Sequence, residues 1–189
     1  MMALMKLISL ISQSLASISP LRFLQRVEVR AFITDSSGRI LLVRRSRSEA
    51  FLPHLYELPG GKTRFLEKPM NALKREIYEE VGLQITSASK LVYVTDFPRF
   101  SQCALKHYVS LVYPVLEVAG QVRLADEHDD YAFLSPVEIV SFSIRTTPVT
   151  TEILEQLSHG EVFARVITTN TTPPEEDQLL LFAEMSLMK

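Results

Sequence analysis

Residues 60–83, GGKTRFLEKPMNALKREIYEEVGL, constrain this chain more than any other stretch. Met70, Leu73, Ile77 and Val81 recur at helical spacing, with Pro69 suited to a first turn and Gly82 to a stop, which predicts a helix from Pro69 to Val81. Glu76, Glu79 and Glu80 stand at i, i+3 and i+4, so their carboxylates share a face about one turn long. Like charges at this spacing destabilise a helix by roughly a few tenths of a kcal/mol per pair. A hard divalent cation is the expected compensation, because magnesium takes oxygen ligands and joins carboxylates to substrate phosphates. The apolar stripe beside the acidic face is expected to anchor the helix while the carboxylates are displayed. Gly60-Gly61 permits close approach of main chain to a ligand, and Arg75 offers a planar fork for a loop carboxylate such as Glu67. An isolated E-x-x-E-E helix would be no more than a solvated acidic face.

Around this segment the pattern is mixed. Val27, Val29, Ala31 and Ile33 alternate with Glu28, Arg30 and Phe32, predicting a strand; residues 35–39 predict a turn and 40–43 a returning strand, together a hairpin. Tyr56-Glu57-Leu58 is a short extended run ending at Pro59-Gly60-Gly61. Further strands are expected at 91–95, 107–118 and 131–134, and proline-opened helices at 136–140 and 148–157. Mixed order of strands and helices indicates an α/β or α+β sandwich.

With this spacing the segment resembles the box of the Nudix hydrolases, G-x5-E-x7-R-E-U-x-E-E-x-G-U with U a bulky apolar residue. Gly61, Glu67, Arg75, Glu76, Ile77, Glu79, Glu80, Gly82 and Leu83 fill every position. Leu58-Pro59-Gly60 and the later Asp126 to Tyr131 stretch the similarity over about residues 25–145. The resemblance implies a Nudix-type α/β/α sandwich with a mixed β-sheet and metal-dependent attack of water on a diphosphate linkage. It implies Mg²⁺, or Mn²⁺, held by Glu76, Glu79 and Glu80 with the main-chain carbonyl of Gly60. Glu67 and Arg75 would form a supporting pair. Glu127 is the best match to a further ligand or base, and Glu127, Glu80 and Glu67 remain open as the group that takes the proton. The expected substrate is a nucleoside triphosphate or another nucleoside diphosphate derivative. Phe97-Pro98 points towards ADP-ribose, and Glu127-His128 towards nucleoside triphosphates.

Two rivals stand beside this. A nucleotide-binding sensor that kept the fold would be expected to lose box carboxylates, and none is missing. The isomerase branch of the superfamily uses an early cysteine, whereas Cys103 is the only cysteine and stands outside such a context. A lone cysteine also excludes an internal disulfide or a cysteine-built zinc site, and fits a cytoplasmic setting. Twenty Lys+Arg against 22 Asp+Glu, net −2, exclude the basic surface that a nucleic-acid polymer demands. Arg44, Arg45 and Arg47 follow a strand and are candidates for substrate phosphates; Tyr56 is a candidate for base stacking or core packing. His54, His107 and His159 lack ligand spacing.

The chain is expected to divide into an amphipathic segment (1–20), one domain (21–170) and a tail helix (171–189). In the first of these Leu4, Leu7, Ile8, Ile11, Leu15 and Ile18 form one stripe, expected to pack on the domain or a partner, with a targeting or membrane-surface segment as the alternative. No stretch is long and apolar enough to span a bilayer. A homodimer is left open.

Overall fold

A computed structural model of the chain describes residues 22–90, 93–101 and 104–158. In chain order these form β1 (Arg22–Ile33), β2 (Ile40–Arg45), β3 (Tyr56–Glu57), β4 (Gly60–Lys62), α1 (Pro69–Val81), β5 (Gln84–Ala88), β6 (Tyr93–Ser101), β7 (Ala104–Ala119), β8 (His128–Leu134), α2 (Pro136–Ser141) and α3 (Pro148–Ser158). The N-terminal segment, the tail helix, Cys103 and His159 lie outside the described residues.

The larger sheet runs β4-β1-β7-β5, with β6 also on β7. β1 and β7 are parallel from Arg22↔Ala104 to Ile33↔Val115, and the other pairs are antiparallel, so the sheet is mixed. β7 is long enough to carry β6 along its first part and β5 along its last. A second, antiparallel sheet runs β3-β2-β8.

Alternation on the strands explains the layers. Val29, Ala31 and Ile33 of β1 and Leu41 and Val43 of β2 pack against Ala72, Leu73, Ile77 and Val81 of α1. Phe32, Ile40 and Leu42 point the other way, onto Ile153 and Leu157 of α3. Helices therefore cover both sides, the expected α/β/α arrangement. Each fully buried side chain of the α1 stripe contributes about 1.5–3 kcal/mol. α1 ends where Gly82 takes the left-handed conformation (φ 70°) and donates its N–H to the carbonyl of Tyr78.

The expected hairpin is corrected. Asp35 does close the turn, accepting the N–H groups of Ser37 and Arg39. Beyond the single Thr34↔Ile40 bridge the strands part, β1 to the larger sheet and β2 to the smaller. Both strands are buried on two faces, so packing rather than the turn selects their partners. Two strands went unforeseen, β4 and β5. β6 also continues through Pro98, which an edge strand tolerates because one side makes no ladder. No described helix is long and apolar enough to cross a membrane.

Candidate active site

Gly60 sits in β4 with φ 143°, and a Cβ there would overlap the carbonyl oxygen of Val29 on β1. Its N–H donates to Oε2 of Glu80 at 2.8 Å, tying the C-terminal turn of α1 to the sheet. Glu80 is only 9% exposed. Burial pushes its carboxyl up to about 8, with Glu57 and Glu76 acting in the same direction and Arg30 and the Gly60 N–H opposing them. A Cβ on Gly61 would lie 2.5 Å from Cδ and Oε2 of Glu76. The double glycine thus makes room for two carboxylates of the following helix.

The acidic face is not evenly displayed. Glu80 turns inward beside Ile77 and Val81, whereas the side chain of Glu79 is 49% exposed. Arg75 pairs with two of these carboxylates and with Glu67. Its Nε and Nη2 grip the two oxygens of Glu67 at 2.9 and 2.8 Å, and its Nη1 reaches Glu76 at 2.7 Å and Glu79 at 2.9 Å. These bonds, with the N–H of Arg64, hold the Glu67 carboxyl at about 2.

A second charged network lies beneath. Arg30 on β1 binds Glu28 at 3.2 Å, Glu57 at 3.0 Å and the carbonyl of Leu58 at 3.0 Å. Ser110 donates to Glu28 from β7. Arg45 joins the other oxygen of Glu57 at 2.6 Å to Glu49 at 2.7 Å and the Phe51 carbonyl at 2.8 Å. Burial alone would raise the Glu57 carboxyl, but Arg30, His128 and Arg45 override it and hold it at about 2. His128 stands 3.5 Å from Glu57, its Nδ1 buried without a hydrogen-bond partner among the described residues.

A family model for the NUDIX domain matches residues 24–157. The chain belongs to the Nudix family. Among solved structures, it is similar to a MutT NUDIX hydrolase from Burkholderia pseudomallei, at 31% identity and TM-score 0.60 over 70% of this chain and 98% of that one. It is similar to a MutT protein from Methanosarcina mazei, at 25% identity and TM-score 0.63 over 74% and 96%. Among curated relatives, it is 24% identical to the nucleoside triphosphatase NudI of Escherichia coli over 59% of this chain and 84% of that protein. As a Nudix enzyme it is a pyrophosphohydrolase.

The Nudix box and a cleft of about 500 Å³ meet at α1. Of the residues nominated from sequence, the cleft brings together Gly60, Glu76, Glu80, Glu127 and Arg45. Glu127 arrives because the segment after β7 runs back along α1, with Arg123 and Ala125 N–H groups on the carbonyls of Val81 and Glu80, and then bonds Ser46. Glu67, Arg75 and Glu79 form the clamp beside it. Arg44 and Tyr56 are elsewhere: Arg44 binds Asp129 at 2.7 Å and Tyr56 donates to Asp130 at 2.7 Å. Glu28, Arg30, Glu49, Phe51, Glu57 and Arg99 also line the cleft but were not nominated. Period-two alternation marks Glu28 and Arg30 only as one face of a strand, and cannot tell a solvent face from a cleft floor.

The convergent donors suit a divalent ion. Glu76, Glu80, Glu127 and the Gly60 main chain supply oxygen only, the set preferred by Mg²⁺ or Mn²⁺, and buried Glu80 beside Glu76 calls for added positive charge. Among the described residues no three acidic, His or Cys side chains already stand at ligand spacing, since Glu76 and Glu79 engage Arg75.

Proposed function

We propose that this chain hydrolyses a diphosphate linkage in a nucleoside triphosphate or another nucleoside diphosphate derivative such as ADP-ribose, using Mg²⁺ or Mn²⁺, in the cytoplasm. The observation that carries the reading is a single cleft with paired carboxylates, Glu76 and Glu80, on one wall and Phe51, Phe97, Pro98 and Tyr108 on others. Polyphosphate suits the acidic wall once cations are bound, and a base suits the aromatic one. Glu76, Glu79, Glu80, Glu127 and the Gly60 carbonyl would hold the ion. A bound divalent cation supplies neutralisation of the phosphate oxygens and activation of water.

The chain's own groups divide the remaining work. Glu67, held at about 2 by Arg75, is the weakest base of the three candidates and serves to fix the loop. Glu127, in the cleft and outside the Arg75 clamp, is better suited to take the proton from water. Gly60 orients Glu80, and Arg75 holds Glu76 and Glu79 in position. The likeness to a nucleoside triphosphatase favours triphosphates as the first arm to test.

The test is a panel of nucleoside triphosphates, ADP-ribose, dinucleoside polyphosphates and nucleotide sugars, assayed with Mg²⁺ and with chelator. Metal-dependent release of a nucleotide monophosphate is expected from at least one class. Tight nucleotide binding with no turnover on any class would turn the reading to a sensor.

A further inference from the structure

We infer that Phe65-Leu66, with Lys62, Arg64 and Lys68 around it, is a docking tip for an anionic lipid bilayer, holding the chain against a membrane surface without spanning it. The tip lies in the loop between β4 and α1, and its adhesion is separate from the hydrolysis proposed above. Phe65 is 93% and Leu66 88% exposed, the highest values of any large apolar side chain among the described residues. Arg64 and Glu67 close a β-turn, the Glu67 N–H donating to the Arg64 carbonyl at 3.1 Å, which puts Phe65 and Leu66 at its corners. The Arg64 N–H returns to Oε2 of Glu67 at 2.8 Å, and its guanidinium reaches Glu79 at 3.2 Å. Arg75 grips both oxygens of Glu67. A fixed frame therefore holds the apolar pair out in water, so docking has little left to order in the backbone.

Two residues here work against local stability. Leu66 has φ 60°, at the second corner of the turn, where glycine or asparagine is preferred. Lys68 is the N-cap of α1, where its side chain makes no capping bond and its charge meets the positive end of the helix. Glycine and aspartate would each suit the backbone better. What the sequence places there instead is an apolar point with a cation beside it.

Charge identifies the occupant. Lys62, Arg64 and Lys68 are exposed and stand within three residues of the pair, and the one carboxylate among them, Glu67, is already held by Arg75. Apolar side chains that enter the acyl boundary while basic groups stay among lipid phosphates fit that arrangement, and a bilayer needs no preformed pocket. A second copy fits worse. A two-fold interface would set the same cations against each other, and a two-residue tip falls far short of the roughly 800 Å² per partner of a stable interface.

The experiment floats the full chain with vesicles of phosphatidylcholine alone and of phosphatidylcholine with phosphatidylglycerol, roughly three to one. Wild type is expected to partition onto the anionic vesicles at least about tenfold better than onto the neutral ones, less so as salt rises. F65S/L66G should weaken that partition by about tenfold or more, and K68E by about fivefold. Neither should lower the melting temperature, because the apolar pair is not buried, glycine accepts φ 60° and an acid suits the start of α1. The chain has no tryptophan, so F65W supplies a single reporter whose emission should shift to the blue on anionic vesicles. Wild type that stays off anionic vesicles, partition unchanged in F65S/L66G, or unshifted emission from F65W overturns the proposal. Self-association that F65S/L66G abolishes, with no vesicle binding, assigns the tip to a second copy and overturns it equally.

Discussion

Gly60 and Glu80, twenty residues apart in sequence, are joined by a hydrogen bond of 2.8 Å from the glycine N–H to a carboxylate that is nearly out of water. The bond stabilises the ionised form, yet burial wins and the carboxyl stays protonated up to about 8.

That balance fixes a pH dependence. Because the folded value exceeds the ordinary 4.5, the folded chain holds an extra proton between pH 4.5 and 8. Stability of the metal-free protein should therefore fall through that window as pH rises, by at most about 1.4 kcal/mol per unit. Glu57 and Glu67, held at about 2, act oppositely: the stability they give is present above 4.5 and lost as pH falls from there towards 2. Urea melts with chelator from pH 3 to 9 should show both limbs, and E80Q should flatten only the upper one.

E80Q and E79Q should each lower turnover by roughly a hundredfold or more while preserving the fold. The amide introduced by E80Q keeps an acceptor oxygen for the Gly60 N–H, and Glu79 is half-exposed. Wild-type hydrolysis by both variants would sink the metal assignment.

The two glycines should fail in different ways. G60A meets the Val29 carbonyl and a positive φ, so it should cost about 3 kcal/mol or more of stability. G61A meets only the end of the Glu76 side chain, which can move. It should fold normally and lose activity. Melting temperature and kcat, measured together, separate the two.

Arg75 grips both oxygens of Glu67, a geometry a lysine cannot reproduce. R75K should let the Glu67 carboxyl rise from about 2 towards 4.5, visible by carboxyl-detected NMR titration, and should reduce kcat as the loop loosens. An unchanged titration would remove Arg75 from its positioning role.

Arg44 and Arg45 are neighbours with different duties. R44A breaks a partly exposed pair with Asp129 and should change KM by less than about twofold. R45K loses the fork that joins buried Glu57 to Glu49 and Phe51, and should cost about 2 kcal/mol, read from urea melts.

Local chemistry was legible in the chain itself. The α1 stripe, its Gly82 stop, the clamp geometry available to Arg75 and the box spacing depend on residues within one or two turns of each other, where helix geometry leaves little freedom. The Asp35 turn was equally plain, but the partners of the strands it joins were not. Pairing there depends on which faces are covered by α1 and α3, elements far away in sequence.

Sequence alone therefore determined the family, the sandwich of helices and mixed sheet, and the carboxylates that can face a diphosphate. Tertiary structure decided which of those carboxylates is buried, that Arg75 pairs with Glu76 and Glu79, and that Arg44 and Tyr56 turn away from the cleft. It also brought Glu28, Arg30 and Glu57 under the cleft and left Arg99 over Phe51. The reason is physical: helix periodicity fixes neighbours on one element, whereas burial and charge pairing depend on what the rest of the chain lays over them.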